Sequence, residues 1–207
     1  MHPNPAYRPE NTAESCAFAR EIGFGMLAVS ADGAPLLSHI PFLLADNGDT
    51  AELHLMRSNP IARACTGPIP ARLAVVGPHG YISPDWYGTE DQVPTWNYVA
   101  IHFTGQLEPL DDAALPPLLA RQSAHFEGRL APKPEWRMEK VADDPMTRML
   151  RQIRPFRLDI EHIESTWKLN QTKPEAVRLS AADHLCAQGF GQDTALLAAL
   201  MRRPPQQ

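Results

Sequence analysis

The alternation of short apolar segments with turn residues is the feature of this sequence that most constrains its fold. About six segments have strand character, and turn residues such as Asp32-Gly33 separate them. Because these segments do not alternate with crossover helices, a doubly wound parallel sheet is disfavoured. We therefore predict a mainly β fold with peripheral helices, namely a small antiparallel barrel. The predicted strands are residues 26–30, 35–44, 52–56, 72–77, 96–107 and 157–161.

Helix signals place the remaining elements around this sheet. Asn11 with Glu14 three residues later is typical of a capping box, and Gly23 is a typical helix end. In Asn59-Pro60, Asn fits the N-cap and Pro the first position of a short helix. The Pro-rich segment 128–144 is predicted to run over the surface. Further helices are predicted at residues 111–126, 146–153, 174–188 and 193–201.

Length, charge and cysteine usage exclude several classes of protein. A chain of 207 residues suits one domain, or one domain with an appendage. Its 24 acidic residues outnumber its 19 Lys and Arg residues, which disfavours a stand-alone nucleic-acid binder. No apolar run could span a membrane, and residues 1–5 lack signal-peptide character. Three scattered cysteines fit reduced thiols, so we expect a cytoplasmic protein without membrane association.

The junction Arg57-Ser58-Asn59-Pro60, between a strand and a helix, is the first candidate site. A helix N-terminus presents unpaired N–H groups and a partial positive charge, which favour a phosphate. Arg57 adds a fork of donors that matches phosphate oxygens. The same residues also fit a plainly capped helix beside a surface arginine, and both interpretations stay open.

The second candidate is Trp96-Asn97-Tyr98, which follows the rigid turn at Pro94. Indole and phenol rings offer large apolar faces with a hydrogen-bonding tip, and the amide of Asn97 offers donors and acceptors. This combination suits a flat ligand with polar edges. The alternative is an aromatic edge of the core, because large aromatic side chains are mostly buried in any fold.

Lys168 and Gln171, which follow the last predicted strand, form the third candidate. A cation and an amide three residues apart could hold a phosphate or the carbonyl-rich edge of a ring, although such pairs are also common in solvated turns. Ser38 and His39 are adjacent on a predicted strand, so their side chains point to opposite faces. On its own face, His39 could line a pocket. No metal motif or catalytic triad is present, and no catalytic residue is assigned.

The two C-terminal helices bear on nucleic-acid binding. The second contains Ala195-Leu196-Leu197-Ala198-Ala199-Leu200-Met201 and carries basic residues only at its end. A recognition helix needs polar and basic side chains to reach phosphates and base edges. This helix should instead pack on the barrel or on a second subunit, and direct DNA binding is doubtful.

Several motifs give the chain a resemblance to a known family. Tyr81-Ile82-Ser83-Pro84-Asp85-Trp86-Tyr87 and Pro94-Thr95-Trp96-Asn97-Tyr98 carry most of it, and Trp167-Lys168-Leu169-Asn170-Gln171 follows in order. Together they resemble the PaiB-type FMN-binding transcriptional regulators over most of the chain. Where the family typically has Lys-Leu-Ser-Gln-Asn, this sequence has Asn170 for the Ser and Thr172 for the Asn.

The resemblance implies an FMN-binding split β-barrel over residues 1–173, with a helical appendage over residues 174–207. It also implies FMN as the cofactor and a homodimer with two flavin sites at its interface. The family name implies negative regulation of transcription, associated with sporulation and protease production in bacilli. The cofactor-binding residues expected on this basis are Ser38, His39, Arg57, Ser58, Asn59, Trp96, Asn97, Tyr98, Lys168 and Gln171.

Two classes of function stay open at this point. One is a regulator that acts through flavin or small-molecule sensing. The other is an FMN-dependent oxidoreductase, either a flavin reductase or one linked to NAD(P)H, because a flavin carries its own redox chemistry. A fold alone does not decide between them. A third alternative is a split-barrel protein that binds haem or no ligand.

Overall fold

The computed structural model describes residues 1–205 and contains seven strands and six α-helices in that range. Short 3₁₀ turns lie at Pro5–Tyr7, Pro84–Tyr87, Asp112–Ala114, Gly128–Leu130 and Met138–Lys140. The strands are β1 Phe24–Val29, β2 Leu36–Leu44, β3 Thr50–Met56, β4 Ile69–Ile82, β5 Thr95–Pro109, β6 Ile153–Lys168 and β7 Gly191–Gln192. The helices are α1 Ala13–Ile22, α2 Pro60–Ala64, α3 Leu115–Glu127, α4 Asp143–Leu150, α5 Glu175–Gln188 and α6 Thr194–Arg202.

The strands form a closed antiparallel barrel, which confirms the predicted fold class. Their order is β1-β2-β3-β6-β5-β4, and β1 also pairs with β4 to close the six-stranded ring. Met26 of β1 lies opposite His39 of β2 on one side and Ala74 of β4 on the other. The two residues of β7 extend the sheet beyond β4, where Gly191 lies opposite Gly80.

The chain divides into two compact units. The first unit comprises Met1–Phe18, Val75–His102 and the described residues from Ile163 onward, and the second comprises Ala19–Ala74 and Phe103–His162. The predicted division of the chain at residue 174 stays a prediction. In the second unit, most of the largest buried side chains come from alternate positions of the strands, among them Leu27, Phe42, Leu53, Phe103, Phe156 and Leu158, and the helices add Ile61 and Leu118.

The core of the first unit explains the apolar character of the last helix. Leu197, Ala198 and Met201 of α6 are fully buried against residues of α5 and of the strands, including Leu185 and Val99. The apolar face of α6 is therefore covered within the first unit. None of the helices in residues 1–205 is long and apolar enough to cross a membrane.

Local sequence signals account for the helix ends. Asn11 accepts a hydrogen bond from the backbone N–H of Ala13 at 2.9 Å, as expected of a residue that caps α1. Gly23 ends that helix with a positive φ of 61°, a conformation that glycine adopts without steric cost. The predicted helix at Asn59-Pro60 is confirmed as α2, with Asn59 as its N-cap.

Two strands extend far beyond their predicted bounds. The sequence pattern predicts β4 at residues 72–77, but the strand covers Ile69–Ile82. It predicts β6 at residues 157–161, but the strand covers Ile153–Lys168. In β4, buried residues fall at odd positions from Ala71 to Gly77, with Ala74 as the exception, and at even positions from Pro78. The strict alternation of buried and exposed residues is interrupted where the buried face changes. The sequence pattern therefore predicts only the first half of the strand.

Candidate functional site

Ser38 and Asn59 are joined in the second unit. Asn59 caps α2 with its Oδ1 atom, which accepts the N–H of Ile61 at 2.9 Å. Its Nδ2 atom donates to the hydroxyl of Ser38, also at 2.9 Å. The short helix is thereby fixed to β2, and Asn59 has both a structural partner and a contact with another predicted site residue.

Arg57 is held by two partners at the end of β3. Its Nε atom donates to the backbone oxygen of Arg151 at 3.0 Å, and a terminal nitrogen lies 2.6 Å from the carboxylate of Asp112. These residues, with Leu115, Pro116, Thr147 and Leu150, line a cavity of about 420 Å³. A guanidinium has five donors, so Arg57 keeps N–H groups for an anion beside its two protein partners.

His39 and Ser58 have exposed side chains. His39 lies opposite Met26 in the ladder between β1 and β2, and directly opposed residues share one face of a sheet. On the same face, Phe24 opposes Pro41 and Ala28 opposes Leu37. His39 therefore lies on an exposed and mainly apolar surface of the second unit, which we call the β1–β2 face.

Trp96 forms the centre of an aromatic cluster in the first unit. The rings of His79, Tyr81 and Phe190 lie with their centroids 6.0, 6.3 and 5.8 Å from that of Trp96. Tilted or edge-on rings at these distances attract one another. Trp96 is still 42% exposed and Phe190 is 71% exposed, so the cluster offers open ring surface to solvent.

Asn97 does not share the surface of Trp96. It is fully buried, and its Nδ2 atom lies 3.5 Å from the sulfur of Met201 in α6. Its Oδ1 atom has no hydrogen-bond partner among the described residues. Because successive side chains of a strand point to opposite faces, half-buried Tyr98 belongs to the face of Trp96.

Lys168 is the last residue of β6, whereas the sequence pattern predicted a position after the strand. Its ammonium contacts the hydroxyl of Thr95, the first residue of β5. Partial burial lowers the pKa of Lys168, because removal of water disfavours the charged form. No carboxylate in residues 1–205 forms an ion pair with this ammonium.

Gln171 is occupied by the turn that follows β6. Its Nε2 atom donates to the backbone oxygen of Trp167 at 2.6 Å, and its Oε1 atom accepts the N–H of Leu169 at 2.8 Å. Asn170 between them adopts a positive φ of 61°. The amide of Gln171 therefore stabilises a tight turn, which positions Lys168 at the end of the strand.

Three residues of the aromatic cluster are not among the site residues that the sequence predicts. His79 and Tyr81 belong to the part of β4 beyond the change of buried face, where strict alternation no longer identifies the strand. Phe190 stands between two glycines in a connection too short to show periodicity. A large aromatic side chain in such a glycine-flanked connection is the one signal that could have identified Phe190.

Most of the chain matches a known protein family. The model of a family described as "Putative FMN-binding domain" matches residues 1–162. The chain is 27% identical over 181 residues to "Protease synthase and sporulation protein PAI 2" of Bacillus subtilis, and the alignment covers 86% of each chain. Lys168 and Gln171 lie beyond the residues that the family model matches.

Solved structures of related fold support the same architecture. An FAD- and haem-binding protein from Mycobacterium smegmatis superposes with a TM-score of 0.58 at 18% identity, covering 90% of this chain and 82% of the other. A conserved hypothetical protein, Rv2991, from Mycobacterium tuberculosis gives a TM-score of 0.54 at 17% identity, covering 82% and 92%. At these identities the likeness shows a shared fold and nothing about ligands.

Proposed function

This chain belongs to the family of FMN-binding domains whose model matches residues 1–162, and from that premise we propose that it is a flavin-dependent regulatory protein. In this proposal the protein binds FMN non-covalently and changes its interactions with other molecules according to the flavin or a small-molecule signal. The cofactor supplies redox chemistry, and the protein supplies binding and electrostatics.

The observation that carries this proposal is the ammonium of Lys168 without a carboxylate partner. A partly buried charge without a counter-ion is unfavourable, and an anionic or carbonyl-rich ligand would relieve this cost. FMN offers both groups, in its phosphate and at the polar edge of its ring. We therefore propose that Lys168 contacts FMN directly.

The aromatic cluster around Trp96 fits a planar ring. Its open ring surface can stack on a flat ligand or meet it edge-on, and such contacts are worth about 0.5–1.5 kcal/mol beyond burial. Among the residues expected to bind the cofactor, we assign Trp96 and half-buried Tyr98 to ring contact. Buried Asn97 and turn-forming Gln171 are assigned to support of the site.

The residues of the second unit fit a phosphate and a polar chain. Arg57 retains free donors, Ser58 offers an exposed hydroxyl, and the Ser38–Asn59 pair offers further polar atoms. We propose that Arg57 contacts the FMN phosphate, with Ser38, Ser58 and Asn59 as neighbouring polar contacts and His39 as a contact on the β1–β2 face. Because these residues belong to a different compact unit from Lys168, each group requires its own test.

Titration with FMN tests the proposal directly. We expect saturable quenching of flavin fluorescence, and we expect Trp96→Ala to weaken FMN and riboflavin by the same factor, about threefold to tenfold. Trp136→Ala, which removes a half-buried tryptophan of the second unit, is the matched control and should leave both affinities unchanged. Absence of saturable FMN binding at high micromolar concentration would contradict the proposal.

A regulatory role is preferred to an oxidoreductase role for two reasons. The relative from Bacillus subtilis is named for protease synthesis and sporulation. In addition, none of the three residues whose rings surround Trp96 carries a carboxylate that could act as an acid or base. His79 is the one among them that carries an imidazole. Steady oxidation of NADH or NADPH that depends on added FMN would favour the oxidoreductase instead.

Regulation through direct DNA contact is not part of this proposal. The apolar face of α6 is buried in the first unit, and the chain has an acidic excess, so few cations are offered to phosphates. We expect weak and nonspecific DNA association in a gel-shift series at physiological salt. A nanomolar, sequence-selective complex would show that the protein reads DNA itself.

We also propose a homodimer, on different grounds from those of the sequence analysis. The apolar face of α6 is buried within the first unit, so its burial does not require a second subunit. The β1–β2 face instead exposes Leu37 by 54% and Phe24 by 50%, and large exposed apolar patches mark interfaces. Light scattering at tens of micromolar should report a dimer, and Leu37→Asp should shift it toward the monomer.

A further inference from the structure

A second cavity lies in the second unit, apart from the residues assigned to FMN. It has a volume of about 300 Å³ and opens where the end of β1 meets the start of β4. Val29, Pro35, Pro70 and Ala71 form apolar walls, and Ser30, Arg72 and Thr104 supply polar atoms. Its size is at the lower end of the range for small-molecule sites, which runs from about 300 to 1,000 Å³.

Arg72 gives this cavity its charge. Its Nε atom donates to the hydroxyl of Thr104 at 3.1 Å, which fixes the plane of the guanidinium. Within residues 1–205, its terminal nitrogens donate to no acceptor and it takes part in no ion pair. No Asp or Glu side chain lines the cavity. The site therefore combines a positioned, unneutralised cation with apolar walls.

We propose that this cavity binds a small organic carboxylate with a compact apolar body. The two terminal nitrogens of a guanidinium match the two oxygens of a carboxylate in a bidentate pair. The apolar walls favour burial of a ring or a short branched chain. The single charge of Arg72 neutralises a carboxylate fully, whereas a dianionic phosphate would keep one charge unpaired beside the apolar walls.

Benzoate is the probe for this site, and benzamide is its neutral counterpart of nearly the same shape. In a titration of the whole protein followed by methyl NMR, benzoate should shift the resonances of Ala28, Val29 and Ala71, which line the cavity or lie beside it. Benzamide should bind at least tenfold more weakly. Benzoate affinity should fall as salt is added, because the contact is charged and partly exposed.

Two variants and one control make the test specific. Arg72→Gln removes the charge and should weaken benzoate about tenfold to a hundredfold. Thr104→Val keeps the charge but removes the hydroxyl that accepts the hydrogen bond from Arg72, so the guanidinium is no longer held in one orientation. This variant should lower the affinity for benzoate by a smaller factor. Arg148→Gln removes an exposed arginine of α4 that does not line the cavity, and it should leave benzoate binding unchanged.

Several outcomes would overturn this inference. They are equal affinity of benzoate for Arg72→Gln and the unaltered protein, equal affinity of benzoate and benzamide, and shifts confined to other methyl groups. Loss of FMN affinity in Arg72→Gln by the same factor would show that the cavity serves the flavin instead. Failure of benzoate to bind while FMN binds normally would refute the carboxylate site and leave the proposed function intact.

Discussion

The ammonium of Lys168 contacts the hydroxyl of Thr95 and has no carboxylate partner within residues 1–205. Because partial burial lowers its pKa, the charged form is disfavoured in the protein without ligand. Lys168→Met should therefore leave the melting temperature of the protein without FMN unchanged or raise it. The same substitution should weaken FMN about tenfold to a hundredfold, as expected of a charge-assisted contact.

Lys173→Met is the matched control for Lys168. The ammonium of Lys173 lies 4.4 Å from the centre of the Tyr87 ring and donates to Gln92, so it already has partners in the protein. Calorimetry and FMN titration should show a lower melting temperature and an unchanged FMN affinity for this variant. If both lysine variants lost stability and kept their affinity, Lys168 would have no role in binding.

Arg57→Ala separates phosphate recognition from ring recognition. If Arg57 contacts the phosphate, its loss should weaken FMN about tenfold to a hundredfold and leave riboflavin, which has no phosphate, unchanged. Asp112→Asn removes the carboxylate that lies 2.6 Å from Arg57 and should tighten FMN, because it frees the guanidinium. Equal weakening of FMN and riboflavin would mean that Arg57→Ala loosened the end of β3.

His54 should make the stability of the protein depend on pH. Burial lowers its pKa below the usual 6.5, and a hydrogen bond with Gln122 offsets part of this shift. The unfolded chain then takes up a proton before the folded one does, so this contribution is fully present above about pH 6.5 and is lost as the pH falls toward the folded pKa.

Denaturant unfolding at pH 7.5, 6.5 and 5.5 measures this effect. The free energy of unfolding should fall toward acid in the unaltered protein, and the fall should be smaller in His54→Phe. His184→Asn, at an exposed position of α5, is the control and should keep the slope of the unaltered protein. Identical slopes in His54→Phe and the unaltered protein would exclude His54 as the source.

Gly105 allows the backbones of β5 and β6 to approach closely. A Cβ atom at this position would lie 1.9 Å from the backbone oxygen of Asp159, so a strand must move to admit it. Gly105→Ala should lower the free energy of unfolding by about 1–3 kcal/mol or more. Gly67→Ala, where a Cβ meets nothing within 4 Å, should be near neutral in the same denaturant titration.

Much of the fold follows from the sequence because its signals are local. The capping residues Asn11 and Asn59 and the stop at Gly23 predict helix ends directly, since each acts on backbone groups a few residues away. The barrel follows from strand periodicity. The far half of β4 does not, because its buried face changes near Gly77-Pro78.

Less of the candidate site than of the fold can be predicted from the sequence. Adjacent residues such as Trp96 and Asn97 look like one recognition surface in the sequence, but a strand places them on opposite faces. The partners of Trp96 come from residues 79, 81 and 190, which only the folded chain brings together. The role of Gln171 could not be predicted for the same reason. Its amide is hydrogen-bonded within a turn that depends on the positive φ of Asn170.

The length of β4, β5 and β6 has a consequence for dissection of this protein. Each of these strands contributes residues to both compact units, so the boundary between the units interrupts strands and does not follow a linker. A fragment ending at Ala74 or beginning at Val75 would carry a severed strand with unpaired backbone groups, which invites association with other chains. Expression of either fragment should therefore give aggregates, and point substitutions in the full chain are the better way to map ligand contacts.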